Sequence, residues 1–476
     1  MGFPKEFLWG ASSSAFQIEG AALEDGKGLS QQDVLAKIHS EKTGFADASI
    51  ASDHYHHFKE DVALMKECGF TSYRFSLSWP RIFPEGSGKV NAKGIQFYRN
   101  LIHELKVNGI EPIVTLYHYD TPMALVEKYD GWVSRQCIDD FMEYVSYVVN
   151  EFKNDVKYWT TFNETSIMVA FWKSKFYIRP ELQNNEQLKY QINHHMNLAH
   201  AKTVKLIHEL VPGGMVGPAL GYTSTYPLTS KPADFLASLN AQEFDLLYFT
   251  DIYTKGIYNK AAMIQLEKLG LAPVLQPGDE ELLLEGKSDF LAFNYYASYC
   301  AHACPEDAVL EWSGVNLSGK KGGMSGFETI PGFFQRCNNP NLETTDWDWT
   351  IDPMGLEHVL RDLYSRYNLP LMITENGMGA YDTLTEDGCI HDDYRIDYLK
   401  KHIAAIERAL EYGVEMIGYN CWSAIDLLST SNGIEKRYGL VYVDRTDTDI
   451  KECKRIPKDS YYWYKKVIAS HGEDLE

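Results

Sequence analysis

The chain has 476 residues, of which 45% are hydrophobic and 23% are charged. This composition is ordinary for a protein that buries a large core, and it excludes an intrinsically disordered chain. With 45 lysines and arginines against 66 aspartates and glutamates, the formal net charge is -21, so the protein should repel nucleic acid and anionic membrane surfaces. A small anionic ligand would need a local concentration of positive charge.

The N-terminal stretch MGFPKEFLWGASSSAFQ has one lysine and no long apolar core. It does not resemble a signal peptide, and no window of the sequence reaches the about 18 apolar residues of a membrane span. We therefore expect a cytoplasmic protein with no membrane partner. The 8 cysteines are scattered singly, which predicts neither a disulfide framework nor a zinc ribbon.

Short apolar runs recur along the chain, each followed by a longer segment of helical period. The runs begin at Phe7, Ser72, Glu111, Val156, Gly214, Asp289, Leu369 and Glu415. Strict alternation of β and α segments predicts a parallel sheet, and eight such units close most economically into a (β/α)8 barrel. We therefore assign residues 1-476 to a single TIM barrel domain of the α/β class with loop insertions, one of them from about Cys304 to Asp346.

Two of the apolar runs end in a glutamate next to an asparagine. Glu164 closes WTTFNE in the fourth run, and Glu375 lies in MITENG at the end of the seventh. In a barrel both would face the same mouth. Retaining cleavage of a glycosidic bond needs a carboxylate nucleophile and a carboxylic acid about 5 to 5.5 Å apart. Taken singly, Glu164 could instead occupy the first turn of a helix, and Glu375 could point to solvent from a turn.

The sequence resembles glycoside hydrolase family 1, the retaining β-glycosidases, nearly from end to end. The blocks that carry the resemblance include FLWGASSSAFQIEGA, YRFSLSWPRIFPEG, TLYHYDTPMAL, TFNE, FLAFNYYAS, ITENG, WSAID and KRYGLVYVD. The resemblance implies that Glu164 is the general acid/base and Glu375 the nucleophile. The implied chemistry requires no cofactor and no metal.

The resemblance also implies roles for the residues around the two glutamates. Arg74 and Tyr296 match family residues that contact the nucleophile, and a nearby guanidinium favours an ionised carboxylate. Trp349 resembles a family tryptophan at the entrance, where it could stack on an aglycone ring or a second sugar. Family positions that bind sugar hydroxyls or stack under the ring are matched by Gln17, His118, Asn163 and Trp422. Each of these residues could also be an ordinary core or packing residue.

The stretch LLSTSNGIEKRYGLVYVDR combines hydroxyls with basic residues near the end of this acidic chain. Unphosphorylated glucosidases and galactosidases of the family usually carry Glu where this chain has Ser429. A carboxylate there would repel a 6-phosphate, whereas Ser429, Lys436 and Tyr438 can each donate a hydrogen bond to it. These three residues resemble the phosphate clamp of the family's 6-phospho-β-glycosidases. Arg437 is left out because it points away from Lys436 in an extended segment. The alternative is a solvated basic turn with no ligand.

The sequence therefore predicts a retaining 6-phospho-β-glucosidase that releases glucose 6-phosphate from phosphorylated β-linked disaccharides or aryl glucosides. Galacto-type members tend to carry Trp where this chain has Thr430, which favours a glucoside. The alternatives are a 6-phospho-β-galactosidase or dual-specificity enzyme, an unphosphorylated β-glucosidase, and a barrel that binds sugar phosphates without hydrolysing them. The oligomeric state is left open.

Three segments depart from the family pattern. Gln31 and Gln32 replace a bulky pair after DGKGLS, and Tyr119 gives HYD where H-W-D or H-F-D is usual. The segment from Thr165 to Leu182 lacks the small and glycine residues that are common there. We expect these differences to affect the entrance and the aglycone side rather than the two glutamates.

Overall fold

Eight parallel strands close into a barrel at the centre of the protein, a computed structural model that describes residues 2–476. Their bounds are β1 Leu8–Ser12, β2 Ser72–Ser76, β3 Glu111–Tyr117, β4 Tyr158–Asn163, β5 Met215–Gly221, β6 Leu291–Asn294, β7 Leu371–Glu375 and β8 Met416–Trp422. Strands that follow each other in this series are neighbours in the barrel, and β1 pairs with β8 to close it. The predicted TIM barrel is confirmed.

Helices connect the strands around the barrel. The helices of ten or more residues are Gln31–Thr43, His54–Cys68, Ala92–Val107, Gln136–Phe152, Leu188–Leu210, Pro232–Gln242, Lys260–Leu269, Pro353–Tyr367, Asp393–Glu411 and Asp459–Ala469. The shorter helical segments are Ala15–Ile18, Trp79–Ile82, Met123–Tyr129, Gly131–Val133, Thr165–Ala170, Trp172–Lys175, Pro180–Leu182, Glu243–Leu247, Tyr248–Lys255 and Asp279–Glu285. Within residues 2–476, no helix has the length and apolar composition that a membrane span requires.

The helix before β2 shows how the sequence sets the alternation of helices and strands. Its buried positions include Val62, Met65 and Cys68, a three-residue spacing that turns one face toward the barrel. It ends at Gly69, whose φ of 92° is a left-handed conformation that glycine adopts at little steric cost. The chain then turns into β2.

The stretch from Cys304 to Asp346, which we expected to be a loop, contains two short strands. Together with two strands outside it they form a small sheet, in the order Ser224–Pro227, Ser298–His302, Phe334–Cys337 and Thr329–Ile330. The expectation of a simple loop was wrong because strands of 2 and 4 residues are too short to show a periodic pattern. A separate antiparallel hairpin pairs Val441–Asp444 with Lys454–Pro457.

A buried ion pair joins this C-terminal hairpin to the helix that precedes β2. Arg455 places Nε 2.7 Å from Asp61 Oδ1 and Nη2 3.0 Å from Oδ2. His54 Nδ1 lies 2.7 Å from the same carboxylate. Burial raises the pKa of Asp61, but Arg455 and His54 outweigh it and hold that pKa below its usual value. The carboxylate is thus charged, enclosed and dependent on its partners.

We expect Arg455→Met to lower the free energy of unfolding by about 3 to 5 kcal/mol, because it leaves the Asp61 charge enclosed without its guanidinium. The midpoint of thermal unfolding, followed by circular dichroism, measures the effect. The matched control is Arg408→Met, which removes a partly exposed pair with Glu357 and should cost no more than about 1 kcal/mol. Equal shifts in the two variants would contradict a structural role for the buried pair.

Candidate active site

Glu164 and Glu375 line one cavity of about 270 Å³ at the carboxyl ends of the barrel strands. Glu375 is the last residue of β7 and only 3% exposed, so it does not point to solvent. Glu164 follows β4 directly and adopts φ 47°, a left-handed conformation that is costly for a residue with a side chain. Its backbone N–H donates to the Ala219 carbonyl over 2.6 Å, which helps to fix this turn.

A continuous chain of hydrogen bonds connects the two carboxyl groups. Arg74 donates from Nη1 to Glu375 Oε1 over 2.5 Å and from Nη2 to Asn163 Oδ1 over 2.7 Å. Asn163 Nδ2 donates to the Tyr119 hydroxyl over 3.2 Å, and that hydroxyl donates to Glu164 Oε2 over 2.5 Å. Both carboxyl groups are therefore positioned relative to the same buried asparagine of β4.

Glu375 is held at both of its oxygens. Besides the Arg74 contact, the Tyr296 hydroxyl donates to Oε2 over 2.6 Å. Burial raises the pKa of Glu375 to about 7, and although Arg74 and Tyr296 act against this, the charge of Glu164 adds to it. The sequence suggested that a guanidinium would keep this carboxylate ionised. In the free protein burial outweighs the guanidinium, and Glu375 changes charge near neutral pH.

The residues predicted to bind the sugar lie together on the cavity wall. Gln17, His118 and Trp422 all line it, and the rings of His118 and Trp422 are stacked with centres 6.2 Å apart. His118 Nε2 accepts from Asn163 Nδ2 over 3.1 Å, so Nδ1 carries the proton, and it has no partner within residues 2–476. Burial lowers the pKa of His118 well below its usual value and keeps the ring neutral. Nδ1 is thus an unsatisfied donor that is enclosed in the free protein.

The predicted phosphate clamp lies in the segment that follows β8. Ser429 and Tyr438 line the cavity, whereas Lys436 is set behind that lining. Lys436 Nζ lies 4.2 Å from the ring centre of Trp349 and 4.5 Å from that of Trp347. Within residues 2–476 no carboxylate or other hydrogen-bond partner contacts this ammonium. Burial lowers its pKa to about 7. The charge is enclosed and unpaired.

Two further residues of this region take clear positions. The ring of Trp349 lies 5.3 Å from that of Tyr296 and also covers Lys436, so it belongs to the wall that carries the predicted clamp. Arg437 donates to Asp426 over 2.9 Å and does not approach the cavity lining. These contacts fit the expectation that Arg437 points away from Lys436. Because Asp426 is satisfied by Arg437 and by Lys458, it does not neutralise Lys436.

Two residues at the site were not predicted from the sequence. Tyr119 donates a hydrogen bond to Glu164, so the expectation that HYD leaves the glutamates untouched was wrong. Lys175 ends the short helix Trp172–Lys175, lines the cavity, and has Nζ 4.8 Å from the Tyr119 ring centre. The sequence did contain a sign of both residues, because HYD and the segment from Thr165 to Leu182 each depart from the family pattern.

Comparisons with known proteins show what the whole chain is similar to. The profile of Glycosyl hydrolase family 1 matches residues 1–473. The chain is 47% identical to the aryl-phospho-beta-D-glucosidase BglC of Bacillus subtilis (strain 168), covering 99% of this chain and 98% of that protein. It is 40% identical to the 6-phospho-beta-glucosidase AscB of Escherichia coli (strain K12), covering 100% and 99%. The solved family 1 b-glucosidase from Thermotoga maritima has a TM-score of 0.87 at 32% identity, covering 99% of each chain. With matches that span its whole length, the chain belongs to glycoside hydrolase family 1.

Proposed function

We propose that this enzyme hydrolyses 6-phospho-β-D-glucosides with retention of configuration and releases glucose 6-phosphate. The enclosed, unpaired ammonium of Lys436, set behind Ser429 and Tyr438, is the strongest support, because an isolated buried charge is costly unless an anion joins it. The names of BglC and AscB describe phosphorylated β-glucosides as substrates of those relatives.

In the first step, the Glu375 carboxylate attacks the anomeric carbon while Glu164 protonates the departing oxygen. The hydrogen bonds from Arg74 and Tyr296 fix the orientation of the nucleophile, so little reorganisation is needed during attack. The aglycone leaves, and the sugar stays on Glu375 as a covalent glycosyl ester. His118 and Gln17 hold sugar hydroxyls as the ring distorts.

In the second step, water attacks the ester and Glu164 accepts its proton. The Tyr119 hydroxyl donates to Glu164 and so fixes the orientation of its carboxyl group in this step. Release of the sugar restores Glu375 as a carboxylate, and Glu164 is again protonated for the next turnover. One carboxyl group thus serves as acid and then as base.

Phosphate recognition follows from the surroundings of Lys436. The indole faces of Trp347 and Trp349 stabilise its ammonium by about 0.5 to 2 kcal/mol each. A phosphate dianion offers stronger, charge-assisted hydrogen bonds, and it raises the pKa of Lys436 when it binds. Ser429 and Tyr438 supply neutral donors beside it. Thr430 also lines the cavity, and this small residue favours a glucoside over a galactoside.

The remaining expectations fit the same proposal. The ligand is a small phosphorylated β-glycoside, which arises where sugars are phosphorylated on import, so we place the enzyme in the cytoplasm. The net charge of -21 disfavours nucleic acid as a partner. We also propose that residues 1-476 act as one domain, because Gln17 near the start and Tyr438 near the end line the same cavity.

Glu164→Gln and Glu375→Gln should each keep the fold and lower turnover of a 6-phospho-β-glucoside by about 10²-fold or more. On a 2,4-dinitrophenyl 6-phospho-β-glucoside, whose leaving group needs no protonation, only Glu164→Gln should recover kcat/KM, while its turnover stays low because the second step still lacks the general base. Steady-state kinetics on both substrates measure this. The exposed Glu285→Gln is the control and should match the wild type. Near wild-type turnover in either active-site variant would remove the assignment.

The pH profile should report the raised pKa of Glu375. Because the nucleophile must be ionised, we expect kcat/KM to fall below about pH 7, the pKa of Glu375 in the free protein. Tyr296→Phe removes a hydrogen bond to the ionised form and should move this limb to higher pH. The substrate phosphate titrates identically with both proteins, so the displacement between the profiles reports Glu375. A displacement to lower pH would contradict the proposed role.

A chromogenic β-glucoside, with and without its 6-phosphate, tests the proposed specificity. Cleavage of the phosphorylated form supports the proposal, preference for the plain form indicates an ordinary β-glucosidase, and cleavage of neither indicates a binding protein. Lys436→Met should lower the ratio of the two kcat/KM values roughly 10- to 100-fold, the worth of a charge-assisted hydrogen bond.

The control is Lys454→Met, an exposed lysine of the C-terminal hairpin, which should leave the ratio unchanged. Equal losses on both substrates in Lys436→Met would argue against a phosphate clamp.

A further inference from the structure

Four lysines are buried within residues 2–476, and they differ in how their charges are compensated. Lys458 and Lys189 each lie within ion-pair distance of a carboxylate. Lys436 and Lys175 have no ion-pair or hydrogen-bond partner for Nζ. The proposed function gives Lys436 a phosphate. It leaves the charge of Lys175 unexplained.

Lys175 lies on the side of the cavity that faces the acid/base. It is 8% exposed and lines the cavity, and its Nζ is 4.8 Å from the ring centre of Tyr119, whose hydroxyl binds Glu164. Burial lowers the pKa of Lys175 to about 8, and a neighbouring anion, such as an ionised Glu164 or a bound carboxylate, acts in the opposite direction and favours the ammonium. Since Glu164 protonates the departing oxygen, this ammonium lies beside the leaving group.

The position of Lys175 is built by buried hydrogen bonds from two other segments. Its carbonyl accepts from Gln31 Nε2 over 3.1 Å and from Gln32 Nε2 over 2.9 Å. Gln31 Nε2 also donates to the Tyr119 carbonyl over 2.8 Å, and Gln31 Oε1 accepts from the Tyr177 N–H over 3.1 Å. All three departures from the family pattern therefore converge on one wall and place a cation in it.

The rest of this side suits a flat apolar group. Ile167, Val169 and Phe171, which belong to the same segment after β4 as Lys175, line the cavity along with it. A lysine ammonium has three donors and no acceptor, so it requires an acceptor on the ligand, and an anionic one is bound most strongly. In the state that binds substrate Glu164 is protonated, and it neither pairs with the ammonium nor repels an anion.

We infer that Lys175 forms a second anion subsite, which binds a carboxylate carried by an aryl leaving group. The inference rests on the proposed function, because the role of Glu164 defines the leaving-group side. The enzyme then recognises two anionic groups of a substrate, the phosphate on the sugar and the acidic substituent on the aglycone. A neutral aryl group fills the apolar wall but leaves the ammonium unpaired.

The test uses S-linked aryl 6-phospho-β-thioglucosides, which resist acid-catalysed cleavage, in matched carboxyphenyl and carbamoylphenyl pairs substituted at the ortho or para position. The paired rings have nearly the same shape and differ in charge. Titration calorimetry with the wild type should give at least about 10-fold tighter binding of the carboxylate in one of the pairs. Lys175→Met should abolish that preference. Lys173→Met, an exposed lysine on the same short helix that pairs with Glu186, should keep it.

Equal affinities within both pairs for the wild type, or a preference that persists in Lys175→Met, would overturn the inference. The wild-type comparison decides the matter even where Lys175→Met folds poorly, and Lys175→Arg, which retains a cation, should preserve the preference. The same carboxyphenyl thioglucoside without its 6-phosphate separates the two proposals. If it binds as tightly as the phosphorylated form, the proposed phosphate specificity fails, whereas the carboxylate preference is measured independently.

Discussion

The enclosed guanidinium of Arg74 is the group on which the active site depends. It lies inside the barrel with no exposed surface, and it donates to Glu375, to Asn163 and, through Nε, to Thr115 over 2.7 Å. A buried cation is tolerated only where its donors are satisfied, and here β3, β4 and β7 supply the acceptors. Glu375 is therefore positioned by strands of the barrel, which are more rigid than the loops above them.

The distribution of charge follows a related constraint. With a net charge of -21, the surface repels polyanions, yet enclosed cations, among them Arg74, Lys436 and Lys175, lie in or beside the cavity. Surface charges are screened over about 10 Å at physiological salt, whereas charges in an enclosed site are screened much less. A small anion can therefore be held by an individual enclosed cation although the surface as a whole is negative.

Most of the fold could be predicted from the sequence because buried parallel strands form continuous apolar runs, separated by segments long enough for a helix. The pairing of Glu164 with Glu375 was predictable for a geometric reason, since the carboxyl ends of all barrel strands meet at one mouth. The contact from Tyr119 to Glu164 was not, because it joins the segments after β3 and β4 across space. The raised pKa of Glu375 could not be predicted from the sequence either. Burial raises it and Arg74 lowers it, and their balance depends on how completely the folded protein encloses the carboxyl group.

The two ends of the cavity are built from different βα segments. Ser429, Lys436 and Tyr438 all follow β8, whereas the wall beside Glu164 draws Gln31 from the segment after β1 and Lys175 from the segment after β4. Loops above a barrel can change without disturbing the strands beneath them. Recognition of the sugar and recognition of the leaving group can therefore vary separately, while Asn163 and Arg74 keep both carboxyl groups in place. Tyr119 is the exception, because its ring contacts Lys175 while its hydroxyl donates to Glu164. Under the proposed function, a change of Tyr119 therefore alters specificity and proton transfer together.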